Sequence, residues 1–251
     1  MSDINVIKKT ILEKDNRFSI TMQNNTIIAT YLPYNLEFVY IPKGTYSKGL
    51  SSKERQQAQA ICPTVVFSED ELICQNNVKV SDFLITRTPI LNSFANKYVE
   101  NVYFCGEEYY AAYLTKDKVD KICQQLNLRL PTEVEWEYSV RAGSTDLFTF
   151  GKVLPNEEQL EKWLSFDFSD LTRLNCNYFG LYGIYTGEWC SDHYKKNDDS
   201  PETPDFVIKG GGAYFWPWQE EEWIWCMSAM RMSSNGLIGG ECGCRLVYDL
   251  S

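Results

Sequence analysis

Histidine is almost absent from this sequence: His193 is the only one in 251 residues. A single imidazole cannot make the facial set of two or three ligands that non-haem iron needs, which argues against iron-dependent oxygenation. Basic clusters are absent as well. Lys and Arg together number 24 against 34 Asp and Glu, for a net charge of −10. Without a long Lys/Arg run, neither a nucleic-acid backbone nor an anionic membrane surface is the expected partner. No run of about 18 apolar residues could span a bilayer. The first nine residues lack the apolar core of a secretory signal, so a cytoplasmic protein is expected. Internal repeats and low-complexity tails are missing too. The nine cysteines are an odd number without the spacing of a disulfide framework, which fits a reducing compartment where cysteine is a small buried apolar residue.

What is there reads as one domain with a small addition in front. Residues 1–35 are polar and Asn-rich, and two β-like pieces, 17–22 and 26–31, suggest a hairpin across Gln23-Asn24-Asn25. Residues 36–41 form an apolar strand closed by Pro42-Lys43-Gly44, and 47–77 read as irregular. Residues 78–85 alternate as a half-buried strand should, and a helix is expected over 91–99 after Thr88-Pro89. A clearer helix covers 116–126, where Val119, Ile122, Cys123 and Leu126 fall on one face behind a Thr115 cap. It leads into Arg129-Leu130-Pro131-Thr132-Glu133-Val134-Glu135-Trp136, the start of a second helix. There Thr132 and Glu135 have capping-box spacing and Gly143 supplies the stop. Short strands, modest helices and long connections predict an α+β domain with much irregular structure.

That helix start resembles the central signature of the formylglycine-generating enzyme family, also called the sulfatase-modifying-factor family. Residues 36–46 look like its opening strand and turn, and 80–99 like its second strand and helix. Phe179-Gly180-Leu181-Tyr182 and Glu188-Trp189-Cys190 look like its Gly-Leu-Tyr and Glu-Trp motifs, and Gly211-Gly212-Ala213-Tyr214 and Gly243-Cys244-Arg245 like its closing pair. The resemblance implies a C-type-lectin-like fold over 36–251, with 1–35 as an N-terminal extension and the loops carrying the site. Copper-dependent members hold the metal with two cysteines after the Gly-Gly-Ser motif. Trp216 and Glu221 stand in those places here, and Ala213 replaces the serine, so the resemblance implies no copper centre and no cofactor. Its calcium loop is shortened to Thr186-Gly187-Glu188-Trp189, which leaves calcium open only through Asp192 and the Asn197-Asp198-Asp199 cluster. Arg141 and Arg245 match recurrent family arginines and are expected to be structural.

The segment without the copper cysteines is rich in aromatics. Tyr214, Phe215, Trp216, Trp218, Trp223 and Trp225 lie within twelve residues, interleaved with Gln219, Glu220, Glu221 and Glu222. Such residues dominate recognition surfaces, because they cover much area at low entropic cost. Tyr214, Trp216, Trp218, Glu220, Glu221 and Trp223 are the candidate ligand-binding residues, although Trp223, Trp225 and Met227 also alternate as a buried strand would. Two readings follow. One is a non-catalytic module that binds a protein or small ligand through the 213–235 loops, resembling family members that lost the cysteines and the variable proteins of diversity-generating retroelements. The other is a divergent metal- or thiol-dependent oxidase using some of Cys190, Cys226, Cys242 and Cys244, of which Cys242 and Cys244 flank Gly243 beside Arg245, a neighbour that could lower a thiol pKa.

Overall fold

The computed structural model describes residues 4–63, 72–151, 156–197, 199–211 and 225–250. Helix α1 (Ile4–Lys14) comes first, with Ile4, Ile7 and Ile11 at i, i+3 and i+7 turning one stripe inward. Strands β1 (Phe18–Gln23) and β2 (Thr26–Tyr31) follow, joined by Asn24 and Asn25 at φ 48 and 64. A two-residue hairpin turn needs that left-handed backbone, and Asn tolerates it. Next come β3 (Leu36–Ile41), β4 (Gly44–Lys48), α2 (Ser52–Ile61), β5 (Gln75–Val80), β6 (Phe83–Thr86) and the short α3 (Asn92–Ala95). The middle of the chain holds β7 (Leu114–Thr115), α4 (Lys116–Leu126), α5 (Glu133–Arg141) and α6 (Glu157–Leu164). The last elements are β8 (Glu188–His193), β9 (Phe206–Lys209), β10 (Met232–Ser233), β11 (Glu241–Cys242) and β12 (Val247–Asp249).

The main sheet is antiparallel in the order β1-β2-β3-β6-β12, with Ile28 opposite Val39 and both Val39 and Val247 opposite Ile85. Because side chains alternate across a strand, this register sorts the sheet into two faces. Phe18, Ala29, Phe38 and Leu84 pack with Ile11 of α1 on one side. Ile28, Val39, Ile85 and Val247 pack with Trp136, Leu181 and Ile184 on the other, which is the main core. A second, three-stranded sheet in the order β10-β9-β8 places Glu188 opposite Lys209. Two small pairs, β4 with β5 and β7 with β11, complete an α+β architecture. Among the described residues no helix is long and apolar enough to cross a membrane.

The structure departs from the sequence expectations at several helices, of which α1 and α6 were not expected at all. The stretch 47–77 is not wholly irregular, since it contains α2, whose Ser51–Glu54 capping box is formed at both ends. Its only buried members are Glu54 and Ala58, so no apolar stripe announced it. The helix expected over 91–99 regularly covers only 92–95 and continues as turns, with Lys97 N–H on Phe94 O and Tyr98 N–H on Ala95 O. Helix α5 starts with the expected Thr132–Glu135 box, but Ala142 rather than Gly143 takes the left-handed cap position, at φ 46, and its N–H bonds Tyr138 O.

Candidate functional site

Helix α5 organises the site. Its start is braced by Arg129, which donates to both Glu135 oxygens at 2.7 Å and to Asp249 at 2.7 Å. One turn apart on the buried side stand Glu133 and Glu137, with 5% and 0% of their side chains exposed. Glu137 accepts Gly49 N–H at 2.9 Å, Arg141 Nε at 2.9 Å and Lys209 Nζ at 3.2 Å. Arg141 also donates to Glu54 at 2.8 Å and to Gly49 O at 2.7 Å, which seats α2 and the end of β4 against α5. Glu133 lies 3.3 Å from Lys48 Nζ, 3.1 Å from Arg231 Nε and 4.0 Å from Lys209 Nζ. Burial pushes the Glu133 carboxyl upward, but these three cations outweigh it and hold the group below the usual carboxylate range. The Glu133 N–H donates to Asp192 at 2.6 Å, a carboxylate at a helix start. A pocket of about 20 Å³, lined in part by Lys48, Glu133, Glu137, Lys196 and Arg231, lies in this network. That is room for about one water.

A second buried cluster meets Trp136 at its indole N–H. Arg245 Nε bonds both Glu188 oxygens at 2.9 and 3.0 Å, and the Trp136 indole donates to Glu188 at 2.7 Å. The remaining guanidinium nitrogens donate to the carbonyls of Thr86, Arg87 and Tyr182. Burial pushes the Glu188 carboxyl upward, and Arg245 and the indole oppose it. Arg141 and Arg245 are thus structural, as the sequence suggested.

The stems of the aromatic segment attach to the first cluster. Strand β9 carries Lys209 and continues into Gly210 and Gly211. At Gly210, φ 84, a Cβ would come within 2.5 Å of Ile184 O and 3.0 Å of the Trp136 ring, so only glycine fits. The described chain resumes at Trp225, and a Cβ on Gly211 would lie 3.4 Å from Trp225 O and from Cys226 Sγ. Both ends of 212–224 therefore meet at one place. Lys209 Nζ donates to Ala229 O at 3.0 Å, tying the outgoing stem to the returning one, and Arg231 ties the returning stem to Glu133. Tyr214, Trp216, Trp218, Glu220, Glu221 and Trp223 all fall within 212–224 and lie outside the described residues. Trp225 and Met227 pack on the main core, yet 225–227 form a tight turn rather than the alternating strand the sequence suggested.

The thiols are sited differently from the activated pair that the sequence allowed. Cys242 and Cys244 are completely buried, and burial drives both upward, Cys244 well above the ordinary thiol value. Arg245 does not reverse this, because its guanidinium is bonded to Glu188. Cys190 is likewise buried and raised, first by burial and then by Asp192 and Glu133. Asp192 accepts the Glu133 N–H at the start of α5 and Asn197 accepts the Ser200 hydroxyl at 2.6 Å, while Asp198 lies outside the described residues. His193 stacks on Phe206 with ring centroids 4.5 Å apart. Among the described residues no three His, Cys, Asp or Glu side chains converge as a ligand set.

Residues 91–250 match the model of the FGE-sulfatase family, described as a sulfatase-modifying factor enzyme 1-like domain. The chain belongs to this family. Two of the solved structures that share its fold show the extent of the likeness. Variable protein 1 of Treponema denticola is 15% identical with a TM-score of 0.56, over 92% of this chain and 98% of that one. PvdO from Pseudomonas aeruginosa is 17% identical with a TM-score of 0.58, over 85% of this chain and 94% of that one. No curated protein matches by sequence. The FGE-sulfatase match takes in α4, α5, Glu188, Lys209, Arg231, Arg245 and the stems of 212–224, while Lys48, Gly49, Glu54, Thr86 and Arg87 lie before it. Sequence reasoning missed Lys48, Glu54, Lys209 and Arg231, the partners of Glu133, Glu137 and Arg141. One signal was available: Lys209 closes an otherwise apolar strand, Phe-Val-Ile-Lys, directly before Gly210 and Gly211.

Proposed function

We propose that this chain is a non-catalytic member of the FGE-sulfatase family that binds a protein or small ligand through the surface carried by 212–224 and its flanks, with Tyr214, Trp216, Trp218, Glu220, Glu221 and Trp223 as contacts. The observation that carries this reading is the clamp at the base of the segment. Lys209, Arg231, Glu133 and Glu137 fix both stems to α5 through ion pairs with little exposure to water, and Lys209 fixes the stems to each other through its hydrogen bond to Ala229 O. A rigid base under a long aromatic segment lowers the ordering cost of recognition. The carboxylates and cations of the cluster neutralise one another, which suits a support better than an acid–base device. The likeness in fold to a variable protein of Treponema denticola agrees with a display role. The sequence supports the absence of a copper centre, since Trp216 and Glu221 occupy the cysteine positions.

A thiol- or metal-dependent oxidase has less support, because burial raises Cys190, Cys242 and Cys244 away from the thiolate that such chemistry uses. The deciding experiment has two arms. Protein purified with copper(I), iron(II) and calcium each supplied should carry no stoichiometric transition metal and consume no oxygen with thiol substrates. Affinity capture from the cell of origin should recover a partner with the wild type that a Trp216→Ala/Trp218→Ala variant loses while remaining folded by circular dichroism. Stoichiometric copper or iron with oxygen uptake would overturn the reading.

A further inference from the structure

A second concave surface lies on a different part of the molecule and uses none of residues 213–235. It is a groove of about 610 Å³ between the loop after α3, the start of α4 and Phe166, within the range of ligand-binding pockets. Tyr103, Phe104, Tyr110 and Tyr113 line it together with Glu107 and, from β11, Glu241. Val102 and Phe104 are 87% and 80% exposed, an unusual position for apolar side chains on a pinned loop.

The loop is pinned at many points. Asn101, itself buried, donates to Asn92 Oδ1 at 2.8 Å, and Asn92 donates to Glu107 O at 2.9 Å. Phe104 N–H bonds a Glu107 carboxylate oxygen at 3.1 Å, and Glu107 N–H returns to Phe104 O at 3.1 Å. Asn92 N–H bonds Tyr110 O, and Ala111 N–H bonds Phe166 O. The backbone from which the aromatic side chains project is therefore fixed before anything binds. The charges that line the groove among the described residues are Glu107 and Glu241 against Lys118, and the loop 98–115 adds Glu100 and Glu108 between Lys97 and Lys116.

We propose that this groove is a binding site for an arginine side chain of a partner protein. A guanidinium stacks on tyrosine and phenylalanine faces and pairs with carboxylates, which is the combination that Tyr103, Phe104, Tyr110, Glu107 and Glu241 offer. Lys118 opposes it and limits the affinity.

The test is a titration of isotope-labelled full-length protein with arginine methyl ester, followed by amide chemical shifts, against the neutral isostere citrulline methyl ester. The expected result is saturable shifts centred on 101–113, with arginine bound at least about threefold more tightly than citrulline, the size of an exposed cation–aromatic contact. Glu107→Gln keeps an acceptor for Phe104 N–H and removes only the charge; it should weaken arginine binding about twofold to fivefold, the size of an exposed ion pair. Lys118→Gln should strengthen it. Equal binding of the two probes, shifts centred elsewhere, no saturation at tens of millimolar, or no response to Glu107→Gln in a folded variant would each overturn the assignment. A failure of the 212–224 surface to bind its partner would leave these outcomes unchanged.

Discussion

The two buried charge clusters differ in how they are closed. Glu188 and Arg245 have side chains 0% and 1% exposed, and their partners are the Trp136 indole and three backbone carbonyls from the middle of the fold. The Glu133–Glu137 cluster has the same chemistry at its centre, with Lys209 and Glu137 fully buried, but its outer cations Lys48 and Arg231 retain 15% and 14% exposure. The closed pair locks β8 and the strand ends into one body. The open cluster holds the stems of 212–224. Helix α5 supplies Trp136 to the first and Glu133, Glu137 and Arg141 to the second, so the body and the support of the segment share one rigid element. The difference teaches that charge burial here has two purposes, and that they should fail separately.

The strongest way to break the comparison is to open the closed pair. Arg245→Met removes the one cation bonded to Glu188 among the described residues and should cost about 3–5 kcal/mol, because the buried carboxylate then keeps only the neutral Trp136 indole and Thr186 hydroxyl as donors. Urea unfolding followed by tryptophan fluorescence measures it, and a loss below about 1 kcal/mol would mean that Glu188 is relieved by protonation or by water. Lys209→Met should cost less, about 2 kcal/mol, because Glu137 keeps Arg141 and Gly49 N–H while Glu133 keeps Lys48 and Arg231. Its distinctive effect is local. Hydrogen exchange should rise first at 206–211 and 225–233, with the main sheet unchanged, whereas Arg245→Met should raise exchange throughout.

How far the clusters were legible depends on how near in sequence their members lie. The α5 capping box is local, with Thr132 and Glu135 three residues apart, and it formed as read. Helix α4 was legible from periodicity, because Val119, Ile122 and Leu126 all face the core. Arg245 and Arg141 were recognised as structural from the family motifs, but their partners were not. Glu188 is 57 residues from Arg245, and Glu54 is 87 from Arg141. Such pairings depend on strand register and helix packing, which composition does not encode. Helix α2 was invisible for a related reason: it buries a charged residue, Glu54, where a periodicity search looks for an apolar one. The Cys242–Cys244 pair misled because sequence adjacency to Arg245 says nothing about where that guanidinium points.

A milder change sharpens the comparison at the rim. Arg231→Gln removes a cation that is 14% exposed and leaves Glu133 paired with Lys48 and, at longer range, Lys209. The expected stability loss is about 1 kcal/mol or less, as for other ion pairs partly open to water. The expected functional loss is larger in proportion, since Arg231 is the returning stem's link to α5. Partner capture through 212–224 should weaken while the thermal midpoint shifts by only a few degrees. An unchanged capture efficiency would mean that the link from Lys209 to Ala229 O is sufficient to hold the base.

Acid acts on the open cluster with the smallest effect. The Glu133 carboxyl is held below its ordinary value of 4.5 in the folded protein, so the stability it contributes is fully present above that value. As pH falls from about 4.5 through the lower folded pKa, protonation removes the charge that Lys48, Arg231 and Lys209 share, and this contribution is lost. Asp15 acts with the same sign at the junction of α1 and β1. Its hydrogen bond with Arg17 lowers it from 3.8 to about 2, so its share is lost between those values. The two can be told apart because Glu133→Gln should flatten the upper part of the acid decline in the urea midpoint, and Asp15→Asn the lower part. Exchange near 225–233 should begin to rise at the higher pH and exchange in α1 at the lower one. A single decline that Glu133→Gln leaves unaltered would show that the stems are held without the carboxylate, and the distinction between a closed and an open cluster would then rest on exposure alone.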